Sequence, residues 1–333
     1  MPLRGADDPA LRGRHPGRAP LRPSEDGPGR PGRALMHADD AAHRARPGAP
    51  PGYREVRSPV AEWMARPECA EAIAQGEADF LFAPHDRRLA PRAAGRGRLA
   101  RFRISGVPAV GKRALRGGLL GRLLGGLYVG RARGLAQIDL AERLERAGIP
   151  TAEILAVGSR RAFGPLHQQA IISRAIPRAQ NLYEAAMEDA PWRRRRVILE
   201  RSADLVRAMH DAGFLHADLN VSNLVVGEGA EGDRVHIVDL DRGRFLARVR
   251  LPERVSNLAR LLRSYEKWIA RRGRLSAREE ILFLRRYCRS DRRLLRTLRK
   301  RLGRYRARLR FGHRPWWALT ASGSAGQGRG AAQ

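Results

Sequence analysis

The chain has 333 residues, of which 43% are hydrophobic and 30% are charged. This length and composition predict one globular region of about 250 residues with tails, and they exclude a wholly disordered chain. No apolar run approaches the roughly 20 residues that a membrane-spanning helix needs, and the N-terminus lacks the apolar segment of a secretory signal. We therefore expect a cytosolic location, with both cysteines as free thiols.

The formal net charge is +31, and it is unevenly distributed. Residues 95–133 hold ten basic residues and no acidic one, and residues 251–314 hold 22 basic residues against five acidic ones. Both regions are expected to face something anionic. A nucleic-acid-binding protein would also need exposed aromatic residues or a recognition motif, and aromatic residues make up only 6% of the chain. We therefore expect no specific nucleic-acid partner.

Four segments follow one another along the chain. Residues 1–52 are rich in Pro, Gly and Arg and predict a disordered tail, and residues 318–333 form a second tail of Gly, Ala and Ser. Between them, residues 53–177 predict a small β-rich lobe and residues 178–317 a larger, mostly helical lobe. The predicted fold class is thus α+β, with two lobes.

The first lobe contains short strands and one helix. Strands are predicted over 101–104, 107–112, 154–157 and 168–172, and a helix over 138–147, before Gly148 and Pro150. In the second lobe, helices are predicted over 182–188 and 193–212, short apolar strands over 224–226 and 235–238, and helix throughout after Pro252.

The strongest local signal is the octapeptide from His216 to Asn223, in which Asp218 is followed five residues later by Asn223. This is the spacing of a kinase catalytic loop. One carboxylate must orient the attacking hydroxyl, and a nearby amide oxygen must hold a metal on the phosphates. We therefore predict Asp218 as the catalytic base and Asn223 as a Mg²⁺ ligand.

A second acidic signal follows sixteen residues after Asn223. Asp239 ends the apolar strand that contains Ile237 and Val238, where a kinase carries the Asp that chelates Mg²⁺ on the ATP phosphates. Asp241 stands where protein kinases usually have Gly. We predict Asp239 as the second metal ligand.

The β-rich lobe offers candidates for the phosphate grip. Lys112 ends a strand and is one of only three lysines in the chain. A kinase needs a cation there to contact the α- and β-phosphates. Gly95 and Gly97 would form the loop over the phosphates, although a single G-x-G is a weak signal.

Five stretches of the sequence together resemble the bacterial lipopolysaccharide kinases, and most closely the 3-deoxy-D-manno-oct-2-ulosonic acid (Kdo) kinases. The last two are the most specific, because Asp-Arg-Gly-Arg after the metal-binding Asp, followed by Asn-Leu-x-Arg-Leu-x-Arg-Ser, is not a protein-kinase pattern. The stretches are 95–98, 112–119, 147–150, 216–223 with 238–244, and 257–267.

The resemblance implies a protein-kinase-like fold and ATP- and Mg²⁺-dependent phosphorylation of the Kdo sugar on lipid A, at the cytoplasmic face of the bacterial inner membrane. It implies that Lys112 contacts ATP and that residues 173–176, including Arg174 and Ile176, lie beside the adenine. Arg116, Arg242 and Arg244 are candidates for binding acceptor carboxylate or phosphate groups, since Arg binds these in bidentate fashion. Solvated surface charge is the alternative for each.

One position departs from the family. Its helix usually carries a Glu that pairs with the strand Lys, and this position falls on Gln137 here. Asp139 or Glu142 could replace the Glu if the helix is rotated or shifted. Without either acid, a pseudokinase is an alternative, and a kinase acting on a protein or a small molecule is another.

The C-terminal helices carry apolar residues at helical spacing among many arginines. One such stripe is Leu294, Leu298, Leu302, Tyr305 and Leu309. Packing on the lobe core is one interpretation. The other is a basic membrane-surface helix that holds the enzyme on the anionic inner membrane. The sequence does not indicate an oligomeric state.

Overall fold

A computed structural model describes residues 49–83, 86–91, 98–114, 126–187, 190–230, 232–269, 277–289 and 291–312. Gly95, Gly97 and Arg116 lie outside the described residues, as do residues 1–48 and the C-terminal tail. Among the helices of the described ranges, none is long and apolar enough to cross a membrane.

The first lobe is an antiparallel sheet whose strands occur in the order β1-β2-β7-β8-β5-β4-β3, with β6 paired to β8. Its strands are β1 (Arg54–Arg57), β2 (Glu62–Ala65), β3 (Ala90–Pro91), β4 (Arg98–Ile104), β5 (Val107–Arg113), β6 (Leu127–Val129), β7 (Ile154–Phe163) and β8 (Leu166–Arg174). Helix α1 (Pro67–Ala74) and a 3₁₀ turn (Asp79–Phe82) cover one face.

Close packing explains a glycine in the middle of this sheet. Gly158 lies in β7 opposite Trp63 of β2. A Cβ atom at position 158 would lie 2.6 Å from the Trp63 ring, closer than side-chain atoms approach one another. The absence of a side chain therefore lets the indole lie flat on the strand.

Helix α2 (Ala132–Arg146) packs on strands β7 and β8. Its buried face includes Ile138, Leu140 and Leu144. The helix ends at Gly148, whose φ of +70° permits the amide of Ile149 to bond the carbonyl of Leu144. The predicted end is therefore close to the observed one, whereas the helix begins six residues before the predicted start.

The second lobe is mostly helical. Its helices are α3 (Leu182–Met187), α4 (Trp192–Asp211), α5 (Leu251–Ile269), α6 (Ala277–Tyr287) and α7 (Arg292–Gly312). Its strands are β9 (Gln180–Asn181), β10 (Phe214–Leu215), β11 (Leu224–Gly229), β12 (Gly232–Ile237) and β13 (Arg244–Phe245), in two small antiparallel sheets. With sheet and helices segregated in this way, the predicted α+β, two-lobed class is confirmed.

In the described part of the chain, backbone hydrogen bonds join the lobes at two places. The first is the connecting chain after β8, where Ile176 lies against Gly227 of β11 and the carbonyl of Pro177 accepts the amide of Glu228 at 3.0 Å. The second follows α2: the amide of Ile237 donates to the carbonyl of Pro150 at 2.9 Å, and the Thr151 hydroxyl donates to the carbonyl of Ile237 at 2.8 Å.

Helix α7 settles one of the alternatives raised by its sequence. Leu298 and Leu302 are buried, and Leu294, Leu295 and Tyr305 pack against the lobe core. These residues of the apolar stripe are therefore part of the core. The opposite face carries exposed basic residues, namely Arg292, Arg293, Arg296, Arg299, Lys300, Arg301 and Arg304.

Candidate active site

A cavity of about 630 Å³ lies between the two lobes. Its walls are largely apolar and come from both lobes, namely Leu99, Val110, Ile154, Ile171, Val225 and Leu240. Lys112 and Asp239 also line it and supply charge. An apolar slot with a few charged groups is the usual form of a ligand-binding site.

Lys112 and Asp239 form an ion pair across the cavity. The Lys112 Nζ lies 2.7 Å from the Asp239 Oδ1, and the two side chains are 25% and 29% exposed. Strand pairing places Lys112, since it lies opposite Leu99 in β4 and Ile171 in β8. A cation from the first lobe and a carboxylate from the second therefore meet, as phosphate and metal binding require.

The backbone of Asp239 is held in an unusual conformation. Its φ is +65°, in the left-handed region that residues with a side chain seldom adopt. The preceding Val238 fixes this turn, because its amide donates to the carbonyl of Asn223 at 2.9 Å. Such conformations cost free energy and concentrate at functional sites.

His216 connects the predicted catalytic loop to the strand before Asp239. Its Nδ1 accepts the amide of Asp218 at 3.1 Å, which leaves the proton on Nε2 to donate to the carbonyl of Val238 at 3.2 Å. Burial lowers the pKa of His216, which is consistent with this neutral tautomer. His216 is fully buried and therefore holds the loop rather than contacting a substrate.

Two asparagines fix the position of Asp218. The Asn223 Nδ2 donates to the Asp218 carbonyl at 2.9 Å, so the Asn223 Oδ1 is the atom that remains for a metal. The Asn220 Nδ2 donates to the Asp218 carboxylate at 3.0 Å, while its Oδ1 accepts the amide of Ser222 at 2.9 Å. Asn220 was not predicted from the sequence, although an Asn before a short helical turn is a recognisable cap.

Helix α5 holds the backbone of the same loop from the other side. Asn257 donates to the carbonyl of His216 at 2.8 Å, Arg260 donates to the carbonyl of Ala217, and the Ser264 hydroxyl accepts the amide of Val221 at 3.0 Å. Spacings of three and four residues place the three side chains on one face of the helix. This face, Asn257, Arg260 and Ser264, is called the loop-holding face below.

A buried hydrogen-bond chain continues from the loop-holding face. The side-chain oxygen of Asn257, Oδ1, can only accept a hydrogen bond, so the His210 Nε2 donates to it at 3.3 Å. The His210 Nδ1 then accepts from the Tyr287 hydroxyl at 2.8 Å. His210 is 1% exposed, and burial lowers its pKa to about 4. The neutral imidazole thus links helices α4, α5 and α6 beneath the catalytic loop.

We expect the free energy of unfolding to decrease as the pH falls from 6.5 to 4. An unfolded His takes up a proton near pH 6.5, whereas native His210 does so only near pH 4, so acid favours the unfolded chain. The expected loss is roughly 3 kcal/mol from this residue. Urea unfolding at pH 7, 6, 5 and 4.5 measures it, and His210→Gln should flatten the dependence. Equal slopes for both proteins would contradict the assignment.

The structure corrects the expectation that Asp139 or Glu142 partners Lys112. Asp139 pairs with Arg143 at 3.6 Å and Glu142 with Arg146 at 3.9 Å, each one turn along α2. Asp139 is largely exposed, and Glu142 lines a separate cavity behind the helix. Their place on the helix turns them away from the sheet, whereas the buried, uncharged Gln137 lines the main cavity.

A different ion pair joins α2 to the turn that contains Asp239 and Asp241. The Arg133 Nε donates to the Asp241 Oδ1 at 2.7 Å, and a second guanidinium nitrogen bonds the other carboxylate oxygen. Sequence reasoning did not find this pair, because Arg133 is one of many arginines and the two residues lie far apart in the chain.

The remaining predicted nucleotide residues lie at the connecting chain. Arg174 and Ile176 both line the cavity. The Arg174 guanidinium is bound by Glu153 at 2.6 Å and by Glu68 at 3.1 Å. The backbone amide of Arg174 also donates to the carbonyl of Glu153 at 2.8 Å. The side chain of Ile176 is therefore the group placed against a planar base.

The oxygen donors of the site suit Mg²⁺ that is shared with phosphates. Within the described residues no group of three His, Cys, Asp or Glu side chains could hold a metal by itself. Magnesium is commonly bound by one or two protein oxygens together with substrate phosphates. The carboxylate of Asp239 and the amide oxygen of Asn223 fit that chemistry.

Lys112 and Asp239 line the cavity between a β-rich and a helical lobe, whereas Asp218 and Asn223 do not line it themselves. Their loop adjoins it through Ser222, which lines the cavity, and through the bond from the Val238 amide to the Asn223 carbonyl. This arrangement is that of a kinase-type phosphotransferase. The model of the lipopolysaccharide kinase (Kdo/WaaP) family matches residues 88–287, and the chain belongs to this family. The prediction of an ATP-dependent phosphotransferase is thereby confirmed.

Curated relatives agree with the family. The chain is 31% identical over 235 residues to a 3-deoxy-D-manno-octulosonic acid kinase of Xanthomonas axonopodis pv. citri, covering 67% of this chain and 86% of the relative. It is 30% identical over 229 residues to the same kinase of Stenotrophomonas maltophilia, covering 65% and 86%. Among solved structures, WaaP in complex with acyl carrier protein matches with a TM-score of 0.44 and 21% identity, over 66% of this chain and 88% of that one.

Proposed function

We propose that the protein transfers the γ-phosphoryl group of Mg²⁺–ATP to a hydroxyl of the Kdo sugar on lipid A, in the inner core of lipopolysaccharide. The observation that carries this proposal is the Lys112–Asp239 pair at 2.7 Å, beside a loop that presents Asp218 and Asn223. Relatives named as kinases of this sugar support the acceptor.

The cavity supplies the nucleotide site. Its apolar walls suit a purine, and the connecting chain at Arg174 and Ile176 lines the same cavity. Lys112 would bind the α- and β-phosphates, while Asp239 and Asn223 would hold Mg²⁺, which neutralises phosphate charge when bound. In the Lys112–Asp239 pair, Lys112 would thus bind phosphate and Asp239 would bind the metal.

Asp218 would act on the acceptor. The side-chain amide of Asn220 bonds its carboxylate, and the side-chain amide of Asn223 bonds its backbone carbonyl. Both bonds restrict its motion. A carboxylate fixed in this way can orient the attacking hydroxyl and accept its proton as the oxygen bonds to phosphorus. Positioning supplies much of the rate in phosphoryl transfer.

Arginines near Asp218 would bind the anionic acceptor. Arg260 donates to the carbonyl of Ala217, the residue before Asp218, and Arg244 pairs in register with Leu215 just upstream. Arg242 occupies a left-handed turn nearby in the sequence. Within the described part of the chain, none of these three guanidiniums pairs with an acid. An ulosonic acid carries a carboxylate, which guanidinium binds in bidentate fashion.

The exposed basic face of helix α7 would hold the enzyme at the cytoplasmic face of the inner membrane. Each basic residue near an anionic bilayer contributes about 1 kcal/mol. Since the apolar stripe is in the protein core, the contact would be electrostatic rather than inserted. Such binding weakens as salt is raised.

The test is transfer of ³²P from γ-labelled ATP to Kdo-bearing lipid A, with lipid A lacking Kdo as the acceptor control. Acceptor in vesicles of anionic lipid is compared with acceptor in neutral vesicles at low and high salt. We expect labelled product only with Kdo and Mg²⁺, formed faster on anionic vesicles at low salt. Bound ATP without product would indicate another acceptor or a pseudokinase, and label on lipid A lacking Kdo would refute the sugar assignment.

A further inference from the structure

We propose that Arg133 is a positioning residue that holds the metal-binding turn to helix α2 while Mg²⁺–ATP is bound. The metal-binding turn is residues 238–243. The proposal rests on the proposed function for the role of Asp239. This chain has the uncharged Gln137 where the helix of the family usually has the Glu that pairs with the strand Lys. The Arg133–Asp241 pair takes the place of that Lys–Glu pair.

The geometry of the pair is that of a specific contact. Both oxygens of the Asp241 carboxylate bond the guanidinium of Arg133, with the Nε at 2.7 Å. The side chains are 30% and 26% exposed, and the guanidinium lies over the ring of Tyr128 at 4.5 Å from its centroid. A bidentate, partly buried and stacked arginine has one preferred orientation.

Local helix stability does not account for this arginine. Arg133 lies in the first turn of α2, where a positive charge is disfavoured by the helix dipole. The turn is also fixed against the sheet, because a Cβ atom at Gly134 would lie 2.6 Å from Val157. The guanidinium is therefore presented from a rigid position, and its contacts with the Asp241 carboxylate and the Tyr128 ring stabilise it there.

Two ion pairs join the first lobe to the metal-binding turn. Lys112 on β5 binds Asp239, and Arg133 on α2 binds Asp241, two residues further along. If Asp239 held Mg²⁺ and Lys112 bound phosphate, the first pair would separate. The second pair involves neither ligand and persists. Arg133 thus becomes the charged link that keeps the turn in register with α2 at the stage when the reaction occurs.

The first test measures amide hydrogen exchange in residues 238–243, with and without Mg²⁺ and a non-hydrolysable ATP analogue. In the wild type, exchange of the turn should stay slow in both states. In Arg133→Met we expect exchange to accelerate about tenfold with the analogue and less without it. Arg146→Met, on the exposed side of the same helix, is the matched control and should behave like the wild type. Equal exchange in Arg133→Met and the wild type would overturn the proposal.

Reciprocal substitutions guard against a merely unfolded variant. Asp241→Asn should reproduce the effect of Arg133→Met, and the double exchange Arg133→Asp with Asp241→Arg should restore part of the slow exchange. If both single variants are slow to exchange, or if the double variant is worse than either, the pair is not the link. In the transfer assay, Arg133→Met should lower kcat by on the order of 10²-fold with the KM for the Kdo acceptor unchanged.

The exchange experiment uses no acceptor. A protein that fails to phosphorylate Kdo but shows faster exchange in Arg133→Met would refute the proposed function and leave the positioning role intact. If the wild-type enzyme phosphorylates Kdo but Arg133→Met changes neither exchange nor kcat, the proposed function stands and the positioning role of Arg133 is refuted.

Discussion

Asp218→Asn should lower kcat by about 10²–10⁴-fold, the usual range for removal of a general base. The amide keeps the shape of the carboxylate and can still bond Asn220, so the catalytic loop should remain in place. It cannot accept the proton of the attacking hydroxyl. Affinity for ATP should be unchanged, because the proposed nucleotide contacts come from Lys112, Asp239 and the apolar walls of the cavity. Initial rates with Kdo-bearing lipid A and calorimetric ATP titration measure the two quantities.

The matched control is Asp204→Asn. Asp204 is a partly exposed residue of α4 that pairs with Arg286 at 2.8 Å, and an ion pair at the surface contributes little. Its kcat should equal that of the wild type. A fall of less than tenfold in Asp218→Asn, with a normal melting temperature in both variants, would show that another group accepts the proton.

Asn257→Leu should both destabilise the protein and slow the reaction. The change removes two hydrogen bonds of a side chain that is 3% exposed, to His216 and to His210. Each buried group left without a partner costs about 1–3 kcal/mol. Because the carbonyl of His216 then has no donor from α5, the loop that carries Asp218 should move, and kcat should fall by on the order of 10²-fold. Urea unfolding and steady-state kinetics measure the two effects.

The neighbouring Ser256, which is exposed on the same helix, provides the comparison. Ser256→Ala should change neither quantity. Rates are to be measured well below the melting temperature of Asn257→Leu, so that unfolded protein does not contribute. Normal kcat combined with lowered stability would mean that Asn257 supports the core and not the loop.

The helices and strands with clear periodicity or clear ends in the sequence were predicted close to their observed positions. The helix over 193–212 is observed at Trp192–Asp211, and the strands over 224–226 and 235–238 at Leu224–Gly229 and Gly232–Ile237. Strands β1 and β2 were missed, because four residues are too few to show alternation. Strands β7 and β8 are longer than predicted, since pairing with each other extends them beyond their apolar residues.

The site residues likewise separate into those that sequence spacing predicts and those that only the fold brings together. Asp218 and Asn223 are close in sequence, so their spacing alone carries the signal of a catalytic loop. Contacts that cross the fold carry no such signal. The Lys112–Asp239 and Arg133–Asp241 pairs join residues more than 100 positions apart, and in a chain with 65 basic residues no pattern selects the arginine that meets Asp241. The choice is made by the packing of α2 on the sheet.

Helix α2 and the segment after it hold the chain on both sides of Asp239. Backbone and hydroxyl contacts bind Ile237, two residues before Asp239, and Arg133 binds Asp241, two residues after it. Lys112 lies instead on strand β5, and its ion-pair partner is Asp239. We therefore expect the cavity to widen by displacement of β5 relative to a turn that stays with α2. Such a motion would carry the phosphate-binding cation away from the metal-binding carboxylate while that carboxylate keeps its place against the helix.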